Sequence, residues 1–294
     1  MEYPQHQHCT LCGKGPLKPM KGYEKHFLVK CSNCGFVLTS RIPSQQELEE
    51  HYNTYSYSYE HYLSPITVQR YNHLLDEFEP FRKTNRLIDV GCGLGFFLVE
   101  AAKRGWEVYG TEYSNAAVTT CAAKGIRMKQ GELNAADWPA DHFDIVTSFE
   151  VLEHLNNPNH EIDQIKSILR PGGLFYCTTP NFDTLERYLL KADHNVIGYP
   201  EHLSYYTAGT IHKLLTSHGF VREKVLLTGI SFTRIRQTCC NSDQKLISAE
   251  SDDERVRMHI EKRPWLQYMK NMMNGLLTLT RKGLSLKVYY INRK

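Results

Sequence analysis

The residues best suited to chemistry in this 294-residue chain begin with a glycine-rich turn in LIDVGCGLGFFL, at 87–98. An apolar run from Leu87 to Val90 ends in three alternating glycines, and helix-forming residues follow. Glycine allows backbone to come close to a ligand, and a helix start offers unpaired amide donors. Glu112 ends the next apolar run, 21 residues after Gly91, where an acid can bind ribose hydroxyls. The spacing predicts a nucleoside site.

Carboxylates and histidines are concentrated in two later segments. One is Glu150-x-x-Glu153-His154, directly after an apolar run, and the other is YPEHLSYYT at 199–207, which contains His202. A histidine titrates near neutrality and can remove a proton when a carboxylate orients it. Carboxylate oxygens with imidazole also suit a divalent metal ion. Both segments are therefore candidates for the reacting site.

Four cysteines form the third group, with the spacing C-x2-C-x18-C-x2-C: Cys9, Cys12, Cys31 and Cys34. The start MEYPQHQHCT has no apolar leader, and nine cysteines without one indicate a reducing cytosol. There, paired cysteines are more often metal ligands than disulfides. Four thiolates suit tetrahedral zinc and leave no open coordination position. We predict a structural zinc ion in a cytoplasmic protein.

The composition is that of a globular protein with a sizeable core. Hydrophobic residues make up 41% and charged residues 23% of the chain, and the net charge of +3 is too small to indicate nucleic acid or membrane by itself. No apolar run approaches the roughly 20 residues of a spanning helix. We expect three regions: a zinc module at 1–42, a helical lid or linker at 43–85, and an α/β domain at 86–294.

In the α/β domain, alternating strands and helices predict a doubly wound, Rossmann-like sheet of seven strands with helices on both faces. The predicted strands are 86–90, 106–111, 126–130, 143–149, 173–179, 220–230 and 284–292. The predicted helices are 94–104, 114–124, 159–169, 207–218 and 255–280. The last two strands are expected to form a reversed edge joined by a long helical insertion. Before the domain we predict a helix at 65–81 and a capping box from Ser44 to Glu47.

Four blocks in this order resemble the class I S-adenosylmethionine-dependent methyltransferases over about 86–230: LIDVGCGLGFFL, VYGTE, FDIVTSFEVLEHL and LRPGGLF. The resemblance implies that S-adenosylmethionine is the cofactor. It implies that Glu112 binds the ribose and that Gly131, Glu132 and Leu133 flank the adenine, while Phe149 and Glu150 close the site. The residues it implies around the methionine part are Asp89, Gly91, Cys92, Gly93 and Gly95.

The segment 199–207 resembles the E-H-L-x-x-Y/F-T segment of bacterial methyltransferases that modify sugars, quinones and other small metabolites. In the favoured hypothesis His202 is the general base, and Glu201 or Glu150 orients it. Alternatively, a Mg²⁺ or Mn²⁺ ion is held as in relatives with an ExxEH-plus-histidine set, here Glu150, Glu153, His154 and His202. A third possibility is that Glu153 and His154 only cap and orient the following helix.

Two further segments carry open alternatives. A tyrosine patch at Tyr52, Tyr55, Tyr57, Tyr59 and Tyr62 either closes over the ligands, with Tyr59 and Tyr62 the best candidates, or packs the zinc module onto the domain. The C-terminal stretch is basic, with apolar residues at helical spacing: Trp265, Tyr268, Met269, Met272, Leu276 and Leu279. We expect that helix to cover the sheet with a solvated basic face, and its alternative role is contact with anionic lipid.

These features favour methylation of a small-molecule hydroxyl, on a sugar, a glycan or a secondary metabolite. Tyr199, Glu201 and His202 also resemble the set of deoxysugar C-methyltransferases, so transfer to carbon is one alternative. Another is methylation of ribosomal or transfer RNA, because the first 42 residues are moderately basic. A non-catalytic adaptor would be expected to have a damaged glycine turn, and the turn here is intact.

Overall fold

The structure is a computed structural model that describes residues 3–44, 46–48, 63–231, 233–235 and 251–293. The tyrosine patch, Cys239 and Cys240 lie outside the described residues. The strands are β1 Leu17–Pro19, β2 Leu28–Cys31, β3 Val37–Thr39, β4 Arg86–Val90, β5 Glu107–Glu112, β6 Arg127–Gln130, β7 Phe143–Phe149, β8 Leu169–Pro180, β9 Ser204–Tyr205, β10 Phe220–Thr228 and β11 Ser285–Asn292. The helices are α1 Pro65–Phe78, α2 Phe96–Lys103, α3 Asn115–Ala123, α4 Pro158–Ile168, α5 Leu185–Leu190, α6 Ala208–Ser217, α7 Asp252–Glu261 and α8 Pro264–Thr280.

The main sheet has seven strands in the order β10-β11-β8-β7-β4-β5-β6. Strands β4 to β8 pair in parallel, whereas β11 is antiparallel to both β8 and β10. The predicted α/β sheet and the reversal of the last strand are confirmed. The last two strands form one end of the sheet, with β10 as the edge strand and β11 between β10 and β8.

Each face of the sheet has its own apolar core, because successive side chains of a strand point to opposite faces. On β4, Leu87 packs with helices α1 and α2 on one face, while Ile88 packs with α4 and α6 on the other. Both side chains are fully buried. This arrangement places the carboxyl ends of β4, β5 and β7 side by side, and open α/β sheets bind their ligands outside these ends.

The amino-terminal region is built into the main fold through a second sheet, in the order β1-β2-β3-β9. Strand β9 comes from residues 204–205, and Thr39 N donates to Leu203 O at 2.9 Å. Phe36 packs on Tyr206 with ring centroids 5.2 Å apart, and Lys213 Nζ donates to Cys34 O at 3.0 Å. The cysteine region and the segment that carries His202 therefore support each other.

Two expectations about helices have clear outcomes. The capping box is confirmed, because Ser44 Oγ accepts from Glu47 N at 3.2 Å and Glu47 Oε2 accepts from Ser44 N at 3.0 Å. The prediction of a single helix at 255–280 is wrong, because the chain leaves helical geometry at Arg263. This residue is the N-cap of α8, and Pro264 occupies the first helical position. Proline favours that position, because its ring fixes φ and a first-turn N–H needs no intrahelical partner.

The orientation of α8 also differs from the expectation that its apolar residues cover the sheet. The apolar residues named in the sequence analysis are 54–81% exposed. Leu277 is buried instead, and Thr278 makes hydrogen bonds to β10. Within the described ranges, no helix combines the length and the apolar character needed to cross a bilayer.

Candidate active site

The glycine turn connects β4 to α2, and its three glycines all have positive φ: 67° at Gly91, 53° at Gly93 and 68° at Gly95. A Cβ on Gly91 would lie 2.6 Å from Val151 Cγ2, so this glycine is required by packing. A Cβ on Gly93 would meet no atom within 4 Å. The turn is therefore packed against the protein at Gly91 and open at Gly93, where a ligand can approach.

Glu112, at the end of β5, reaches back to this turn. One carboxylate oxygen accepts from Gly93 N at 3.0 Å, and the other accepts from Ser114 N at 3.0 Å. The turn is also tied to β5 by Cys92 N, which donates to Thr111 O at 3.0 Å. These contacts set the carboxylate beside the open part of the turn.

Asp89 lies beneath the turn and is 3% exposed. Thr147 Oγ1 donates to Asp89 Oδ1 at 2.7 Å. Burial raises the pKa of Asp89 to about 7, and the nearby charge of Glu112 acts in the same direction, while the Thr147 hydrogen bond opposes them. The carboxyl is thus poised to change its charge near neutral pH, and a cation beside it would favour the ionised form.

Aromatic rings line the end of β7. Phe149 is half-buried and lies 5.0 Å from Phe97 and 6.2 Å from Tyr71, measured between ring centroids. Tyr71 belongs to α1, so a residue of the region predicted as a lid or linker at 43–85 packs on Phe149. Cys92 is half-buried, with its Sγ 4.0 Å from Met128 Sδ.

The residues predicted to flank an adenine follow β6. Gly131 N donates to Glu112 O at 2.9 Å, and a Cβ on Gly131 would meet nothing within 4 Å. Glu132 is exposed, and Tyr113 Oη approaches its carboxylate at 3.5 Å. Leu133 is 2% exposed and packs in the core. Open space thus lies beside Gly131 and Glu132, while the Leu133 side chain faces the interior.

Two carboxylates follow β7. Glu150 has φ 54°, a conformation that is strained for a residue other than glycine, and its N–H donates to Thr178 O at 2.9 Å. Its side chain is exposed to solvent, yet the surrounding protein desolvates it and raises its pKa. Glu153 is 3% exposed and accepts from Thr179 Oγ1 at 2.9 Å. Burial, followed by repulsion from Glu150, raises its pKa well above the ordinary value.

His154 and His202 lie side by side, with ring centroids 4.9 Å apart. His154 Nδ1 is 2.6 Å from Glu201 O, and His202 Nδ1 is 2.5 Å from Val196 O. A carbonyl can only accept, so each contact assigns the proton to Nδ1 and a lone pair to Nε2. Burial, followed by the neighbouring His154, lowers the pKa of His202 to about 4.

Glu153, His154 and His202 each offer a donor atom within 4.8 Å of the other two. The structure therefore brings together three of the four residues of the predicted metal set from two distant segments. Glu201 contributes its backbone carbonyl to His154, as described above. The contacts of Tyr199 are with residues other than this cluster. Its hydroxyl is 3.4 Å from Glu47 Oε2, and its ring packs on Phe27.

The four predicted zinc ligands also form a cluster, with all sulfur atoms within 4.8 Å of one another. Sγ of Cys9 is 3.5 Å from Sγ of Cys34, and Sγ of Cys12 is 3.7 Å from Sγ of Cys31. Zinc–sulfur bonds of about 2.3 Å in a tetrahedron require sulfur–sulfur distances of about 3.8 Å. The observed spacing fits a bound zinc ion.

Several site residues were missed by sequence reasoning. Thr147 bonds Asp89, the Val196 carbonyl orients His202, and Tyr71 packs on Phe149. Tyr71 lies on the buried side of a predicted helix, which is a weak signal. Nothing in the sequence indicates the carbonyl of Val196, because that contact depends on the path of an irregular loop.

A family model described as a methyltransferase domain matches residues 59–225. Among curated proteins, the chain is 31% identical over 143 residues to a ubiquinone biosynthesis O-methyltransferase of Colwellia psychrerythraea, covering 44% of this chain and 58% of that protein. It is 29% identical over 148 residues to the protein of the same name from Azoarcus, covering 40% of this chain and 63% of the relative. The chain thus spans about three-fifths of the length of these relatives.

Two solved structures share the fold. A SAM dependent methyltransferase from Archaeoglobus fulgidus superposes with a TM-score of 0.52 at 16% identity, covering 77% of this chain and 93% of that chain. A phosphoethanolamine N-methyltransferase 2 of Haemonchus contortus superposes with a TM-score of 0.53 at 15% identity. The match covers 86% of this chain and 61% of that chain. Both matches concern the architecture of the sheet and its helices.

Proposed function

Since this chain belongs to the methyltransferase domain family, we propose that it transfers a methyl group from S-adenosylmethionine to a hydroxyl oxygen of a small molecule. The observation that carries the proposal is that two sites follow the carboxyl ends of strands β7, β4 and β5, which are neighbours in the sheet. The open glycine turn with Glu112 follows β4 and β5, and the Glu153–His154–His202 cluster follows β7 and packs beside β9. Relatives named as ubiquinone biosynthesis O-methyltransferases support a small acceptor.

The glycine turn and its acids suit the parts of this cofactor. The exposed space at Gly93 and the carboxylate of Glu112 are appropriate for the sugar, and buried Asp89 is appropriate for the cationic amino group of the methionine part. When bound, S-adenosylmethionine supplies an electrophilic methyl group on a sulfonium. The carbon–sulfur bond breaks as a carbon–oxygen bond forms, and the hydroxyl proton must pass to a base.

His202 is our first candidate for that base. Val196 O holds its Nδ1 proton, which leaves Nε2 to accept one, and the low pKa keeps the ring neutral at physiological pH. The same low pKa makes it a weak base, so transfer requires an acceptor whose hydroxyl is itself acidic or becomes so as the methyl carbon arrives.

The acceptor class can be tested directly. Purified protein is incubated with S-adenosylmethionine and a panel of phenols, nucleotide sugars and glycan fragments, and the products are read by mass. A gain of one methyl group on any small acceptor supports the proposal. Labelled methyl transfer into total RNA, unaffected by those acceptors, would instead support the RNA alternative. Failure to bind the cofactor by calorimetry would contradict both.

The role of His202 is tested by His202→Ala. If this side chain is the base, kcat should fall by about 10²- to 10⁴-fold while cofactor affinity stays within a few fold. His142→Ala is the matched control, since His142 is also half-buried but precedes β7 at the opposite end of the strand. A rate within a few fold of wild type for His202→Ala would remove the base role.

The second candidate is a site that holds a divalent metal ion. Glu153, His154 and His202 favour it, because each offers a donor atom within 4.8 Å of the other two. A Mg²⁺ or Mn²⁺ ion held there, with Glu150 nearby, would lower the pKa of an acceptor hydroxyl. Chelation should then abolish activity and added Mg²⁺ should restore it. Glu153→Gln should weaken Mg²⁺ binding measured by calorimetry. Full activity after chelation would exclude the metal.

We propose that the four-cysteine cluster holds zinc with a structural role, on the basis of its sulfur spacing. Because four thiolates complete the coordination, this ion takes no part in methyl transfer.

A further inference from the structure

Helix α8 presents an apolar stripe to solvent. Seven large side chains are 50–81% exposed: Trp265, Tyr268, Met269, Met272, Met273, Leu276 and Leu279. They recur at intervals of three and four residues, so they lie along one side of the helix. Monomeric soluble proteins rarely expose so continuous an apolar surface without a binding role.

The opposite side of α8 buries Leu277 and is fixed to the edge strand β10 by polar side chains. Asn274 Oδ1 accepts from Gly229 N at 3.1 Å. Thr278 Oγ1 accepts from Leu227 N at 3.1 Å and donates to Leu227 O at 3.0 Å. These bonds satisfy backbone groups of an exposed sheet edge. Rotating the helix to bury its apolar stripe would break them, so the outward direction of the stripe is part of the fold.

The exposed charged side chains of the segment that contains α8 have one sign. The exposed charged side chains of the fully described range 255–281 are Arg255, Arg257, Lys262, Arg263 and Arg281. The acidic residue in this range, Glu261, is half-buried and paired with Lys270 at 2.6 Å. A partner that covers the stripe must therefore offer an apolar region to the α8 side chains and anionic groups to the basic side chains.

The apolar surface continues onto α5. Leu185, Tyr188 and Leu189 are 49%, 53% and 65% exposed. This helix is joined to the end of α8, because Leu185 N donates to Lys282 O at 3.2 Å and Lys282 Nζ donates to Tyr188 Oη at 3.1 Å.

We propose that the α8–α5 surface docks on an anionic phospholipid bilayer, with the apolar stripe among the lipid headgroups and the basic side chains against the phosphates. Apolar residues on one helical side with basic residues around them are the features of helices that lie in a membrane interface. A second copy of the chain is a poorer occupant, because two-fold pairing of this surface would bring its basic groups together. The proposal is independent of which acceptor is methylated.

The test is co-sedimentation of the full chain with vesicles of phosphatidylcholine alone or with 30% phosphatidylglycerol. Wild type should bind the anionic vesicles at least tenfold more tightly, and high salt should weaken this binding. The variant Met272→Glu/Leu276→Glu should lose at least tenfold in affinity. Thr119→Glu/Thr120→Glu is the control, since it makes the same charge change on exposed positions of α3 beside β6, at the opposite edge of the sheet.

The control should bind vesicles within about twofold of wild type, and all three proteins should bind S-adenosylmethionine equally in calorimetry. Absence of wild-type binding to anionic vesicles would overturn the proposal, as would equal binding by the α8 variant. Light scattering provides a further check. A wild-type dimer that the α8 substitutions convert to a monomer, without any lipid binding, would identify a second copy as the occupant and reject the membrane.

Discussion

At the scale of single residues, the site depends on carboxyls whose charge is set by their surroundings. Asp89 is buried and has a pKa near 7, whereas Glu112 is anchored by two backbone amides. The types of these residues follow from the sequence, and their environments do not. Thr147 and the depth of the cleft determine how Asp89 titrates, and both come from distant parts of the chain.

The titration of Asp89 predicts pH-dependent binding of the cofactor. Below its folded pKa of about 7 the carboxyl is protonated and cannot pair with a cationic amino group, and above it the carboxylate can. Affinity for S-adenosylmethionine should therefore rise by about fivefold between pH 6 and pH 7, below the range in which the ligand's own α-amino group loses its proton. Isothermal titration calorimetry across this range measures it. Asp89→Asn should bind weakly at both pH values, and a wild-type affinity that does not change with pH would contradict the assignment.

At the scale of elements, the turn between β4 and α2 has one glycine that is required by packing and another, two residues later, that faces open space. Gly91 is confined by Val151, whereas Gly93 faces open space. Both have positive φ, so alanine is strained at either position by about 1–2 kcal/mol. The two substitutions should nevertheless differ, because only one creates a steric overlap.

Gly91→Ala should lower the free energy of unfolding by about 1–3 kcal/mol more than Gly93→Ala, since its Cβ overlaps Val151. Gly93→Ala should mainly weaken cofactor binding. Denaturant unfolding and calorimetry separate the two effects. Val151→Ala should recover part of the stability lost in Gly91→Ala, and equal unfolding free energies for the two glycine variants would show that the overlap is relieved without cost.

At the scale of the whole molecule, the amino-terminal cysteine cluster and the acceptor segment share a sheet. Strand β3 pairs with β9, and the residue before β9 bonds both Thr39 and Glu153 through its backbone. Loss of order in the cysteine region should therefore reach the Glu153–His154–His202 cluster. The glycine turn is held mainly by β5 and should be less affected.

This coupling predicts separable effects of zinc removal. Stripping zinc, or Cys12→Ser, should lower the melting temperature and methyl transfer while leaving cofactor affinity within a few fold. Metal content, thermal unfolding and calorimetry are the measurements, and Lys18→Ala on β1 is the control. If Zn²⁺ but not Mg²⁺ restores the melting temperature and methyl transfer, the ion that was removed came from the cysteine cluster and not from the His154–His202 pair. Unchanged melting after complete zinc loss would contradict a structural role.

Much of the architecture could be predicted from the sequence, because local patterns depend on neighbours along the chain. Apolar runs indicated the strands of the main sheet, glycines marked the turn after β4, and cysteine spacing indicated a four-sulfur cluster that the structure confirms. The same patterns led to two errors, both in the segment 255–280. The segment forms two helices rather than one, and apolar spacing in α8 predicts an amphipathic helix without saying which side faces the protein.

What the sequence by itself determined is therefore the α/β fold, the open turn with its acid, and the residue types available for chemistry. Only the tertiary structure decided how they meet. It brought Glu153 and His154 to His202 across almost fifty residues, assigned the histidine protons through backbone carbonyls, and turned the apolar side of α8 outward. The physical reason is that these outcomes depend on contacts between segments distant in the chain, whose geometry no local pattern contains.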